Sequence, residues 1–533
     1  MEFLARLSLH RVTGRASAFI FNAAGDAGTP GTVSLTGAGN DSVYNLEFNN
    51  GTAVFLGDPV FHSDDPKDLA GYFEKELIGN VIREVDGFYF LIVSYENTGR
   101  LVVTSGMFSI LPVYYYMNKE ELLISSSFNI IIKNAVSKEL TVDQQHLVEK
   151  AIFNYPLFDR TFFNEIKTIA SNSYIEYQDG NYRIIPHTVI HDLFISEPLP
   201  WRKACDSISE LFIRKAGDFV PDEKAVVTLT GGFDSRTVLG IALGMNGVKA
   251  TCTYGSPGEQ DIQIASHISE AMGVKHLPVI LNEEYAAGAF MDNAVSFLMG
   301  GYGLGNISRA HYCYALKTSL KDAGFLLSGN FGSELLRSMK VPGVVTSASL
   351  FDAFSISSEG ELRARLLSNT ALLYLNSEKL GEVVYSVVHD ITVFKENLPS
   401  VLTPNQKFYA YLFGEVFRKY FGPEIMVQRP VVKHRAPFLC FSFIEAILKT
   451  GLAGANSRFL ETNPLFRFQG QVLYATIMKK TLPALNDLRL DRGYAPQDLL
   501  TISGPLVIAS EYFKKKYIYR RRWETPDYIT VAF

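Results

Sequence analysis

The stretch Val226–Arg236, VVTLTGGFDSR, constrains this chain more than any other. A run of β-branched and apolar side chains reads as a strand buried on both faces; Gly231 and Gly232 force a tight turn, and Asp234 and Ser235 open an amphipathic helix. Glycines without a Cβ let backbone N–H groups approach phosphate oxygens, and the helix start adds unpaired donors and the positive end of its dipole. Thr230 and Ser235 offer hydroxyls to the same phosphates, and Asp234 is placed to hold a metal ion bridging them. The competing reading is an ordinary βα turn in which Asp and Ser cap a helix. The chain has no Gly-Lys-Ser/Thr loop, which argues against a P-loop nucleotidase.

A chain of 533 residues holds two or three domains with full cores, and a net charge of −5 gives no overall pull toward nucleic acid. Cys205, Cys252, Cys313 and Cys440 are far apart and lack paired spacing with histidines, so buried free thiols in a reducing compartment are expected rather than disulfides or zinc. No signal peptide and no membrane-spanning run is read, which makes cytoplasm the expected location.

Up to about Ile185, strand-like runs fall at Ala16–Phe21, Ala53–Leu56, Phe88–Tyr95, Leu101–Thr104, Val113–Met117 and Leu122–Ser126, with helical periodicity at Leu69–Leu77 and Val142–Phe153. This predicts an α+β domain of packed antiparallel sheets over 1–185. A polar, Pro-containing linker follows at Pro186–Pro200, then a helix with Ala204, Ile208, Leu211 and Phe212 on one face. From there to about residue 500, strand and helix alternate as a parallel sheet requires: strands at Lys249–Tyr254 and His276–Leu281, and a helix at Asp261–Met272 whose Asp261 reads as a cap. Residues 501–533 form a basic extension. Its segment Lys514–Trp523, KKKYIYRRRW, is either a solvated helix face or a surface for acidic lipid, nucleic acid or a polyanionic glycan. Gly300–Gly305, GGYGLG, lacks a preceding strand and reads as a substrate loop or simple turn.

Several of these stretches resemble the asparagine synthetase family. Thr230–Ser235 is similar to the S-G-G-x-D-S loop of the ATP pyrophosphatases, with Thr230 keeping the hydroxyl. Phe325–Leu336, FLLSGNFGSELL, resembles L-S-G-E-G-S-D-E-L-F: Ser328, Gly329 and Glu334 stand, the first Glu is Asn330 and the metal-binding Asp is Ser333. Lys433–Cys440 resembles E-A-R-V-P-F-L-D, with Cys440 in place of the Asp, and Arg492 lies where the family has a lysine that stabilises departing pyrophosphate. Asp86–Ser127 resembles part of the class II glutamine amidotransferase domain. That family needs a cysteine at position two as nucleophile, whereas Glu2 stands there and the first cysteine is Cys205.

The resemblance implies an Ntn-hydrolase-like α+β sandwich without glutaminase activity, followed over 200–500 by an α/β parallel-sheet ATP pyrophosphatase domain of the adenine nucleotide alpha hydrolase-like type. It implies ATP and Mg²⁺ as cofactors. Thr230, Gly231, Gly232, Asp234, Ser235, Ser328 and Gly329 would hold the nucleotide, Asp234 and Glu334 the metal, and Asp234, Glu334 and Arg492 the chemistry. The expected activity is an AMP-forming amide ligase joining a small-molecule, peptide or sugar carboxylate to ammonia or an amine. Parallels are the β-lactam synthetases and lasso-peptide cyclases. The alternative is a weakened relative that binds nucleotide as a structural or regulatory subunit, motivated by Asn330 and Ser333. No nucleic acid or transmembrane partner is expected, and self-association into a homo-oligomer stays open.

Overall fold

The computed structural model describes residues 1–9, 20–22, 31–36, 41–63, 65–135, 140–194, 197–337, 339, 345–375, 378–460 and 464–514. The chain divides into two compact units. One comprises Met1–Ser196, Phe297–Asn306 and Val341–Pro430; the other comprises Glu197–Ser296, Ile307–Lys340 and Val431–Phe533.

The first unit holds two six-stranded sheets. One orders its strands Ile166–Thr168, Tyr114–Met117, Glu121–Ser125, Glu2–Ser8, Thr32–Thr36, Ile20–Asn22; the other Asn181–Pro186, Ser173–Gln178, Arg100–Ser105, Val85–Tyr95, Gly51–Phe61, Ser42–Phe48. All pairings are antiparallel except Ile20–Asn22 with Thr32–Thr36. Within Val85–Tyr95, residues Phe88–Val93 form a continuous apolar run because both faces of the strand are covered. Phe90 meets Phe3 of the other sheet edge-on at 5.4 Å, while Phe55 on the neighbouring strand packs on Phe73 of a short helix. Gly57 has φ +136°, and a Cβ there would lie 2.5 Å from the Phe88 carbonyl oxygen, so only glycine fits this crossing.

Two expectations change here. The helix read over Leu69–Leu77 is a 3₁₀ turn, Pro66–Leu69, and a helix, Ala70–Glu74, that stops before Glu76 turns to φ 59°. The boundary drawn for a continuous 200–500 domain also differs, because residues 297–306 and 341–430 group with the first unit. Their partners explain it: Phe413 stacks on Phe108 at 5.8 Å, Asp390 pairs with Arg160 at 2.5 Å, and Arg418 donates to the Phe158 and Ile169 carbonyls at 2.6 and 2.9 Å. The turn Gly300–Gly305 is packed too, with the Tyr302 hydroxyl 2.6 Å from Glu2 and 2.8 Å from Ser127. Most of the strand read at Ala16–Phe21, and the basic segment beyond Lys514, lie outside the described residues.

The second unit is built on a five-stranded, wholly parallel sheet. Its order is His276–Ile280, Val248–Gly255, Ala225–Thr228, Phe325–Leu327, Lys433–Arg435. Ala225–Thr228 is central and nearly all buried, as its AVVT sequence requires. The chain leaves it for the neighbour on one side and later returns to the neighbour on the other. The crevice outside the carboxyl ends of Ala225–Thr228 and Phe325–Leu327 is therefore the topological switch point, where open α/β sheets bind ligands. The helix Trp201–Gly217 buries Ala204, Ile208 and Phe212 as expected, and all four cysteines are buried and outside any disulfide.

Candidate functional site

Two loops meet at this switch point. The first follows Ala225–Thr228 and is pinned at its base, where the Leu229 N–H donates to the Cys252 carbonyl at 2.8 Å and the Thr253 hydroxyl to the Leu229 carbonyl at 2.5 Å. Thr230 at its tip is exposed, Gly232 and Asp234 are half-buried, and the helix Asp234–Gly244 begins without a side-chain cap. The glycine amides, however, are already engaged. Thr230 N–H donates to Ser235 Oγ at 3.0 Å, Gly232 N–H to Thr230 Oγ1 at 3.2 Å, and Gly231 N–H to Asp261 Oδ1 at 2.9 Å. Without a ligand, these amides are thus held by the loop's own hydroxyls and by Asp261. An incoming anion meets the uncapped helix start and the two hydroxyls, and takes the amides only by exchange.

Asp261 corrects an expectation. It does not cap its helix, Gln260–Ala271, whose N-cap Glu259 makes no side-chain cap bond. Instead Asp261 reaches back to the first loop. Burial raises its carboxyl pKa, the Gly231 N–H opposes that, and the charges of Asp491 and Glu259 add to it.

The second loop follows Phe325–Leu327. Ser328 is buried, its N–H donating to the Arg435 carbonyl at 3.0 Å and its hydroxyl 2.6 Å from His434 Nε2, so it braces the loop and its hydroxyl is committed away from a ligand. Gly329 is sterically obligatory, since a Cβ there would come within 2.4 Å of the Ser235 backbone nitrogen. Phe331 follows at φ 72°, a left-handed geometry that costs a bulky residue about 1–3 kcal/mol. The short helix Gly332–Leu336 then presents Ser333 and Glu334.

These residues converge on Asp234. Ser333 Oγ donates to Asp234 Oδ2 at 2.5 Å, and Arg337 donates in turn to Ser333 Oγ in a close contact. Asp234 Oδ1 is buried and has no hydrogen-bond partner among the described residues. The Tyr474 hydroxyl lies beside it, both atoms being within 3 Å of where a Cβ on Gly332 would stand, and burial followed by the Asp234 charge raises the Tyr474 phenol. Burial, then Asp234, pushes the Glu334 carboxyl up to about 7; Arg337 and Arg309 pull the other way.

Arg492 sits on the rim. Its loop is tied to the first by Asp491 N–H on the Gly231 carbonyl at 3.4 Å, by Gln260 Nε2 on the Asp491 carbonyl at 2.9 Å, and by the fully buried Arg236. Arg236 donates to the Leu488 and Arg489 carbonyls at 2.6 and 3.0 Å, and burial lowers it to about 10. The Arg492 side chain is one-third exposed, with Nε 3.8 Å from Asp491 Oδ1.

The structure thus brings Thr230, Gly231, Gly232, Asp234, Ser235, Gly329 and Glu334 to one crevice and Arg492 to its edge. The sequence reading missed Arg337, Arg309 and Tyr474. Arg337, three residues after Glu334, carried a weak local signal; Tyr474 lies inside the long helix Pro464–Thr481 and carried none. An orphaned buried carboxylate oxygen next to a second carboxylate with a raised pKa fits a divalent cation, with Asp234 and Glu334 as its holders and Ser333 withdrawn into a bond with Asp234.

Residues 218–386 match the family described as asparagine synthase, which supports an asparagine synthetase-like family, one of ATP-utilising amidotransferases and ligases, for this chain. No curated protein matches. Among solved structures, an allosteric regulatory enzyme of purine biosynthesis shares 11% identity over 45% of this chain and 47% of its own, with a TM-score of 0.19. The chain therefore spans about half the length of that enzyme. Glutamine phosphoribosylpyrophosphate amidotransferase from B. subtilis, complexed with ADP and GMP, shares 11% over 64% of this chain and 77% of its own, with a TM-score of 0.17. Overlaps this loose carry no weight for fold or activity.

Proposed function

Because the family match takes in both loops of the crevice, we propose that this chain is an ATP-dependent, AMP-forming amide ligase. ATP is a substrate whose phosphate tail lies over Thr230–Ser235, against the uncapped start of Asp234–Gly244. A carboxylate substrate attacks the α-phosphorus, pyrophosphate leaves past Ser235 and Arg492, and ammonia or an amine captures the acyl-adenylate, releasing AMP. Asp234 and Glu334 would hold Mg²⁺, which supplies charge neutralisation at the phosphate oxygens. Burial pushes the Glu334 carboxyl up to about 7 in the metal-free chain, and a bound Mg²⁺ would hold it ionised. Arg337, acting through Ser333, fixes the Asp234 carboxylate. The observation that carries this reading is the Asp234 carboxylate at the switch point, its buried Oδ1 near the Tyr474 hydroxyl and its charge acting on Glu334.

The N-terminal unit is read as a scaffold without glutaminase activity, since the first cysteine in the sequence is Cys205. Labelled glutamine should release no glutamate; steady release contradicts this. A second reading, a nucleotide-binding relative with weakened catalysis, is favoured by Ser333 being bonded to Asp234 and by the engaged loop amides. ATP–pyrophosphate exchange decides between them. Run over aspartate, uronic acids and small peptides, a ligase shows exchange that depends on Mg²⁺ and on one class of acid. Nucleotide binding with no exchange for any acid supports the second reading.

A further inference from the structure

Of the three amides at the tip of the first loop, one is held from outside it. Thr230 and Gly232 donate to the hydroxyls of Ser235 and Thr230, neutral groups that can turn toward a ligand. Gly231 N–H instead donates to Asp261 Oδ1 at 2.9 Å, a carboxylate brought in by the helix Gln260–Ala271. The fit is close, since a Cβ on Gly231 would stand 3.0 Å from Asp261 Oδ1, 3.1 Å from Ile264 Cδ1 and 3.1 Å from Asp491 Cβ. An amide N–H carries a single hydrogen, so full donation to a phosphate oxygen requires that this carboxylate leave.

Asp261 has reason to leave and a place to go. Burial disfavours its ionised form, as do the charges of Asp491 and Glu259, against which the bond from Gly231 works. As the second residue of its helix it is half-buried, and a turn of its side chain toward solvent keeps the carboxylate at the positive end of that helix, which favours an anion. The exchange needs a change of rotamer and no backbone movement. Resting on the reading of this crevice as an ATP site, we propose that Asp261 is an internal occupant of the loop: its carboxylate holds Gly231 N–H until the phosphate tail of the nucleotide expels it. The loop is then competent only in the fraction of molecules whose Asp261 is turned out, and its affinity for polyphosphate is lowered by that fraction.

Asp261→Asn tests this, because Asn keeps an oxygen for the Gly231 N–H and removes the charge. Titrated with ATP in the presence of Mg²⁺, the variant should bind about tenfold more tightly than the parent at unchanged melting temperature, the difference between a hydrogen bond to a charged acceptor and one to a neutral acceptor. Asp261→Ala, which empties the seat, should gain at least as much. Inorganic tripolyphosphate should gain by the same factor as ATP, and AMP by far less. Glu259→Gln is the control: it removes a like charge from the same helix start, leaves an acceptor for the Ser256 N–H that Glu259 Oε2 takes at 2.8 Å, and should gain about twofold at most. Weaker ATP binding by Asp261→Asn would make the carboxylate a brace for the loop and overturns the proposal. An equal gain in Glu259→Gln, or for AMP, also overturns it by marking a general effect of charge. Equal binding of ATP by the parent and Asp261→Asn overturns it while leaving the ATP reading in place. If none of these proteins binds ATP or tripolyphosphate, the ATP reading fails and this inference with it, whereas binding by the Asp261 variants alone supports both.

Discussion

Glu149, fully buried in the first unit, and Glu334, half-buried in the second, both have carboxyls pushed up to about 7, chiefly by desolvation. Their surroundings differ in kind. Glu149 accepts from the Leu157 N–H at 2.8 Å, Gln145 Nε2 at 2.9 Å and Arg160 Nε at 3.1 Å, and Arg160 also pairs with Asp390. Glu334 faces Asp234, a second carboxylate with one oxygen left without a partner. A raised pKa therefore does not by itself mark a site. The satisfied cluster pins Gln144–Phe153 to the helix Leu380–Asn397, whereas the other sets two carboxyls together, the feature on which the proposed cation site rests.

Substitutions sharpen this contrast. The largest effect is expected at Asp234: Asp234→Ala should lower pyrophosphate exchange by two or more powers of ten, on the order of 3–4 kcal/mol, while leaving the melting temperature unchanged or raised. Full exchange in this variant would falsify the assignment of the metal site. Glu149→Ala should do the reverse, costing about 3 kcal/mol of stability by stripping a buried ion-pair network of one partner, with no loss of exchange per folded molecule. Chemical denaturation beside exchange rates reads both, and a common response of the two variants would erase the distinction.

Acidity offers a finer test. Both glutamates have folded-state pKa values above the ordinary carboxyl range, so their stabilising contribution is complete at low pH and is lost as pH rises through about 7. Mg²⁺ should restore only the part due to Glu334, so its stabilising shift in melting temperature grows from pH 6 to pH 8. Glu334→Gln should flatten that growth and Glu149→Gln should not; a Mg²⁺ effect independent of pH in the parent chain contradicts the cation site. The smallest change is expected at the rim, where Arg492→Ala should weaken pyrophosphate binding about tenfold without altering ATP affinity as strongly. Equal losses for both ligands would move Arg492 from the leaving group to the whole phosphate tail.

What the sequence made legible follows from how local each feature is. Tight loops between strand and helix are written in consecutive small residues, so the two that meet at the switch point, Thr230–Ser235 and Ser328–Glu334, were readable, as was the alternation that gives the parallel sheet. The role of Asp261 was not: a carboxylate in a helix's first turn looks like a cap, and only the fold brings it 2.9 Å from Gly231 N. Tyr474 was invisible among apolar neighbours in a long helix. The grouping of 341–430 with the first unit was equally hidden, because it depends on contacts such as Phe108 with Phe413, three hundred residues apart in order of magnitude.

The central claim is that the crevice between these two loops grips the phosphate tail of ATP through a cation on Asp234. Calorimetric titration of ATP, with and without Mg²⁺, into the parent chain and Asp234→Ala measures this directly. The account predicts binding by the parent that Mg²⁺ strengthens and that the variant loses. Identical isotherms for the two proteins, or binding indifferent to Mg²⁺, would contradict it.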